Sequence, residues 1–278
     1  MCLTSLCLRS LLFSMLAFAG GICAEENPME ADQAADGLAN KIAADRWWGV
    51  ATIVSYGVIQ WDYFSRPPHR ASEGWFGADT PEGGADKWGH AYSTHLMTHT
   101  LAARYREFGL TQQDAGKQAL LSSLLLNGVM EVGDSFSNYG YSNEDMIMNV
   151  VGAYIGYKTV VDDVWRDRLD FRIEHNLRGA SRDPFTDYQH YKYLFALKLN
   201  GFDSLADTPL RWLEFHIGYY ARGYHRDDAL RERHAYIGVG FNFGLWFEKQ
   251  GWHRTATVLR FVQPPATSLV NDVPEADK

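Results

Sequence analysis

Beyond residue 24 this 278-residue chain has no cysteine, because Cys2, Cys7 and Cys23 are the only three. The body of the chain therefore forms no disulfide and offers no thiolate to a metal, so its stability must come from packing. A basic excess is also missing. Lys and Arg total 26 against 34 Asp and Glu, a formal charge of −8, and no basic run occurs. That balance argues against nucleic acid as a partner. The sequence holds no HExxH pair, no phosphate-cradling glycine loop and no Gly-x-Ser-x-Gly elbow, so no ready-made hydrolase or nucleotide chemistry is written in it. Nor does it imply a cofactor. His95 and His99 share a helix face at HxxxH spacing, but a pair without a third ligand is more often packing than metal binding.

What is present starts with an address. Arg9 precedes an apolar run from Ser10 to Cys23, too short to span a bilayer comfortably but suited to a signal-peptide core. Residues 1–24 are read as a signal peptide cleaved after Ala24, with lipid modification of Cys23 as the alternative. Export follows from either, to the periplasm or the outer membrane, with the inner membrane ranked below both. Residues 25–43 are polar and read as a flexible tether. From Trp47 to Phe64 runs an aromatic-ended apolar helix, readable as a buried core helix or as a short membrane-associated one. Arg66-Pro67-Pro68 ends it, and residues 69–84 form a Gly-, Pro- and acid-rich loop of a length that is often functional.

The central stretch, Asp86 to Gly156, contains three apolar helical segments with polar residues where a core helix would carry leucine. Asp86 and His90 open the first, four residues apart and about 40° apart around the axis, so they act on one face. Glu131 ends the second, with Asp134 near the same face. An unpaired buried carboxylate costs several kcal/mol, so Glu131 needs a partner such as His90 or Lys87, must hold a proton, or must reach solvent at the helix end. The third segment begins at Ser142, and Ser142 with Asp145 is a capping pattern that gives Asp145 a structural role. Asn149 lies one turn inside that helix and wants hydrogen-bond partners. Gly152 and Gly156 repeat at a spacing that permits close helix contact. Asp86, His90, Glu131, Asp145 and Asn149 are the candidate site residues within a helical bundle spanning residues 44–162.

The ordered set Asp86-Lys87-x-x-His90, Glu131 and Ser142-x-x-Asp145-x-x-x-Asn149-x-x-Gly152 resembles the YfiM-type family of predicted periplasmic lipoproteins, and more distantly VanZ-like membrane proteins. The resemblance covers residues 46 to 160, with the Asp183–Tyr188 segment as a candidate extension. It implies a fold and an envelope location, not a reaction. Gly20-Gly21-Ile22 before Cys23 departs from a lipoprotein signal.

Beyond Lys158 the pattern changes. Asp162–Arg178 reads as a charged helix or linker and Ser181–Tyr188 as a turn-rich segment, and four runs with period-two alternation follow, along Tyr191–Leu199, Leu213–Tyr219, Ala235–Phe247 and Trp252–Val262. Together they predict an antiparallel four-stranded meander within residues 163–263, with one apolar face that either covers the helices or faces lipid. Four strands close no barrel. Residues 264–278 read as a disordered tail. The fold class is therefore α+β, about four helices followed by a sheet. Two functions compete. The first is a non-enzymatic, membrane-associated envelope protein whose buried Asp/His/Glu/Asn cluster fixes helix register. The second is a general acid–base enzyme acting on a lipid-linked or cell-wall-derived substrate, with His90 or Glu131 as base. Membrane lipid or an envelope component is the expected partner, with homo-oligomerisation through a sheet edge as a further route.

Overall fold

A computed structural model describes residues 28–175, 183–224 and 230–276, so the expected signal segment, 1–24, lies outside the described residues. The fold is α+β, as the patterning predicts. Its helical layer comprises α1 (Pro28–Gln60), α2 (Ala85–Glu107), α3 (Gln112–Asp134) and α4 (Asn143–Val161). A short α5 (Asp163–Arg168) leads into a sheet of five antiparallel strands in simple sequence order: β1 (Leu169–His175), β2 (Tyr191–Lys198), β3 (Leu213–Arg222), β4 (Glu232–Phe241) and β5 (Ser268–Ala276). Between the strands lie α6 (Asp203–Ala206), α7 (Phe243–Lys249) and α8 (His253–Val258).

α2 is the centre of the molecule. Thr94, His95 and Thr98 are buried on it, and α4 lies against it through glycines. A methyl group on Gly152 would stand 2.0 Å from the Ala91 carbonyl oxygen, and one on Gly156 2.8 Å from Thr98 Cβ. On its other side α2 meets the sheet through aromatic rings, with Trp88 over Phe195 (centroids 5.8 Å) and Tyr92 edge-on to Phe171 (5.5 Å). α3 packs its small and polar face inward, including Ala115, Ala119, Ser122, Ser123 and Asn127. Thr111 caps it by accepting from the Asp114 N–H.

Several expectations need correction. Residues 28–43 are helical rather than a tether. Alanine, glutamate and lysine favour helix there, and Ile42 is buried with Leu38 beside it against Tyr105, Ala115 and Ala119. The same helix is no buried core element, since Trp47 and Trp48 are each 72 % exposed. No helix among the described residues is long and apolar enough to cross a membrane. The charged stretch after α5 is strand β1, whose alternation is masked by Asp170 and Arg172 pointing inward. The third run stops at Phe241, because Asn242 accepts from the Leu245 N–H and starts α7. The fourth run is α8 and the turn after it rather than a strand, and residues 268–276 form β5, paired along β4 from Gly240↔Ser268 to Glu232↔Ala276. Polar content hid that strand, which takes its order from the β4 edge.

The sheet curls. Residues 261–263 lie along the outer edge of β1, where the Ile173 N–H donates to Phe261 O and the Gln263 N–H donates to Ile173 O (both 2.9 Å). β5 starts at residue 268 on the opposite edge, so a link of four residues, 264–267, spanning at most about 18 Å, bridges both edges. The concave face holds Asp170, Arg172, Lys198, Glu214 and His216, all buried. The Arg172 guanidinium donates to both Glu214 oxygens (2.6 and 3.0 Å), to Asp170 (2.7 Å) and to Gln263 (2.9 Å). The convex face is the apolar one. α2 covers Phe171 and Phe195, while Phe215, Ile217 and Ile237 stay exposed. That face thus covers helix over one portion and is open over the other.

Candidate functional site

Three helices deliver the five predicted residues to one place. Gly84, in the left-handed conformation (φ 81°), starts α2, which puts Asp86, Lys87 and His90 on the inward side of its first turns. α3 brings Glu131 in its last turn. α4 brings Asp145 in its first turn and Asn149 one turn later. Ser142 accepts from the Asp145 backbone N–H. The cap therefore uses only the main chain of Asp145, and its carboxylate is left for the site.

The resulting geometry is compact. Lys87 Nζ lies 2.8 Å from Asp145 Oδ1 and 2.7 Å from Asp86 Oδ2, and it also bonds Glu73 from the preceding loop. His90 stands between two carboxylates, with Nδ1 3.3 Å from Glu131 Oε1 and Nε2 3.7 Å from Asp145 Oδ2. Asn149 Nδ2 donates to Glu131 Oε1 (3.2 Å), while Asn149 Oδ1 accepts from Thr94 Oγ1 (2.8 Å). Glu131 is 1 % exposed, and Asn149 and Lys87 are fully buried. The cluster approaches the surface at His90 and Glu73, whose side chains are 11 % and 19 % exposed.

Burial sets the electrostatics. It pushes the Glu131 carboxyl up to about 8 against the pull of His90, and that of Asp134 up to about 6. Glu73 rises to about 7, again first through burial and then through its proximity to Asp145. Burial also raises Asp86 although Lys87 opposes it. For His90 burial disfavours the charged ring, but Asp145, Glu131 and Asp86 together outweigh it and raise its pKa. Burial disfavours charge on Lys87 too, and Asp86, Asp145 and Glu73 reverse this. Asp145 is the reverse case among the acids: His90, Glu73 and Lys87 overcome its burial and hold it below the ordinary carboxylate range. The cluster can therefore store protons on Glu131 beside a charged imidazole, or hold a cation.

All five expected residues meet, and the Glu131 carboxylate is enclosed rather than frayed into solvent. His95 and His99 are elsewhere. His99 Nε2 is 2.8 Å from Thr159 Oγ1, and both rings pack on Phe261. Sequence reading undervalued Lys87, the hub of three acids, and missed Glu73, whose loop gives no periodic signal. The sheet's concave Asp170/Arg172/Glu214/His216 network was also missed, although charged residues two apart on a strand share a face and mark it. Four carboxylates and an imidazole compose two groupings, each with donor atoms within 4.8 Å of one another: His90/Glu131/Asp145 and Glu73/Asp86/Asp145.

Residues 72–160 match the model of a family described as predicted periplasmic lipoprotein (DUF2279). That match spans the loop from Glu73 and all three site helices, and its description agrees with the export to periplasm or outer membrane expected from the sequence. It does not extend to VanZ-like proteins. No curated protein and no solved structure matches the chain.

Proposed function

We propose that this chain is an exported cell-envelope protein that works bound to a membrane surface, with the Asp86/Lys87/His90/Glu131/Asp145/Asn149 cluster locking the register of its three central helices. One observation carries the reading: the helical layer is polar inside and apolar outside. On α3, Ser122, Ser123, Asn127 and Glu131 are buried while Leu121, Leu125 and Val132 are exposed; on α4, Asp145 and Asn149 are buried while Ile147, Val150 and Tyr154 are exposed. A water-facing bundle would reverse this. Exposed apolar stripes of this extent mark interaction surfaces, and helices joined through small and polar residues are the habit of lipid-facing bundles. An apolar cleft of about 500 Å³ between α1 and α3, lined by Val54, Phe64, Leu125, Val129, Val132 and Phe136, continues the stripe. Lipid contact in the interface plane requires no spanning helix.

The test is flotation of the exported chain with phosphatidylethanolamine/phosphatidylglycerol vesicles, using Cys23→Ser so that no lipid anchor contributes. Cofloating that falls at least tenfold in Leu121→Asn/Leu125→Asn/Ile147→Asn supports the reading. Wild-type chain that stays at the bottom of the gradient, or that self-associates without binding vesicles, overturns it.

A second reading, acid–base catalysis on a lipid-linked or cell-wall-derived substrate, is favoured by the Glu131 carboxyl, whose pKa burial raises, lying beside the partly exposed His90. It ranks second because the carboxylate and the amide that orients it are sealed. His90→Ala that keeps its melting temperature while abolishing the envelope phenotype would reverse the ranking.

A further inference from the structure

We propose that His90, Glu131 and Asp145 bind a single divalent transition-metal ion through one imidazole nitrogen and one oxygen of each carboxylate. This goes beyond the membrane-bound reading and does not depend on it.

The donor set comes first. The three residues are contributed by three different helices, and one donor atom from each lies within 4.8 Å of the others. In a tetrahedral shell with bonds of about 2.1 Å, neighbouring donors stand ~3.4 Å apart. The contact of His90 Nδ1 with Glu131 Oε1, 3.3 Å, matches that edge length, whereas Asp145 Oδ2 lies 3.7 Å from the other ring nitrogen, Nε2, so the Asp145 carboxylate would turn within the 4.8 Å cluster to complete the shell. Both contacts are long for a direct pair, since charge-assisted N–H···O bonds run about 2.7–2.9 Å. His90 Nδ1 is buried without a hydrogen-bond partner, a condition that normally calls for an explanation, an unseen ion among them.

The surroundings fit as well. Ligands are oriented by the groups around them, and here Asn149 donates to Glu131 Oε1, the oxygen that faces His90, while the Lys87 ammonium occupies Asp145 Oδ1 and leaves Oδ2 turned to the imidazole. The other grouping, Glu73/Asp86/Asp145, is a poorer site because Lys87 Nζ contacts all three of its members. Lys87 is thus spent on one side of the cluster, and two carboxylates remain on the other with only the imidazole between them. A nitrogen and two carboxylate oxygens without sulfur select Zn²⁺, Mn²⁺ or Fe²⁺ over Ca²⁺, which takes six to eight oxygens. The partly exposed edge at His90 and Glu73 provides entry.

The experiment uses the full exported chain, stripped with a chelator, dialysed against Zn²⁺ or Mn²⁺ alone and then analysed for bound metal. One equivalent retained, with a raised melting temperature, is expected. Affinity should drop at least tenfold in His90→Gln and Glu131→Gln, and it should be retained in His95→Gln, a buried histidine of the same helix outside the site. If the ligand variants fail to fold, Co²⁺-loaded wild type decides: visible ligand-field bands of a four- or five-coordinate ion support the site, and the spectrum of hexaaqua Co²⁺ overturns it. Folded wild type that retains less than a tenth of an equivalent of either metal, or folded His90→Gln that binds like wild type, also overturns it.

Discussion

Lys87 holds three acids, Glu73, Asp86 and Asp145, at a position with no exposure. Removing one partner from a buried charge group strands the others, at a cost of about 3–5 kcal/mol. Lys87→Met should therefore lower stability by that amount in urea unfolding, and a loss below about 1 kcal/mol would show that the acids find other partners. Gly152 poses a steric version of the same question. A Cβ there would press 2.0 Å from backbone oxygen of α2, which has no flexible end to yield. Gly152→Ala should cost about 1–3 kcal/mol by forcing the two helices apart, visible as a lower melting temperature, whereas Gly37→Ala, with nothing within 4 Å, should not. The sequence exposed Asp86, His90, Glu131 and Asn149 as polar residues without a local excuse. It gave Asp145 both a capping role and a place in the site, and the two are compatible because the cap uses only the main-chain N–H. No local pattern could reveal where that carboxylate points, because its partners sit on another helix.

The elements carry their own pH dependence. His95 is buried in α2, and burial, reinforced by Arg260, lowers its pKa from 6.5 to about 3. Above pH 6.5 neither folded nor unfolded chain protonates it. Below that value the unfolded chain takes the proton and the folded chain refuses it, so stability falls as pH drops toward 3. Between pH 7 and 5 this single group should cost about 2 kcal/mol, and His95→Leu should reduce the acid-induced shift of the urea midpoint by that much. His99, depressed chiefly by burial and then by His95, adds to the same trend. In the sheet, Arg172 ties β1 to β3 and to the Gln263 segment, so Arg172→Met should destabilise by about 3–5 kcal/mol; an unchanged unfolding midpoint would deny the network that role. Alternation made β2, β3 and β4 from Ala235 onward legible. β1 and β5 were not, because strands with polar residues on a buried concave face, or pairing along an existing edge, do not show the hydrophobic period.

At the scale of the whole molecule the distribution of polarity is inverted twice. The helical layer encloses polar side chains and shows apolar ones, and the curled sheet encloses an ion-pair network while Phe215, Ile217 and Ile237 look outward. Exposed leucines that stabilise nothing should be replaceable. Leu121→Asn with Leu125→Asn should change unfolding free energy by less than about 1 kcal/mol while weakening vesicle binding, and a large loss of stability would mean that these side chains are packed in the free protein. The sequence by itself determined the α+β class, the three polar-bearing helices and which of their residues lack a local partner, because periodicity and the cost of burying charge act along the chain. Only the tertiary structure decided that Lys87 sits at the hub, that His90 stands between two carboxylates, and that the apolar faces turn outward. Those outcomes depend on how separate helices and strand edges are set against one another, and residue spacing does not encode that.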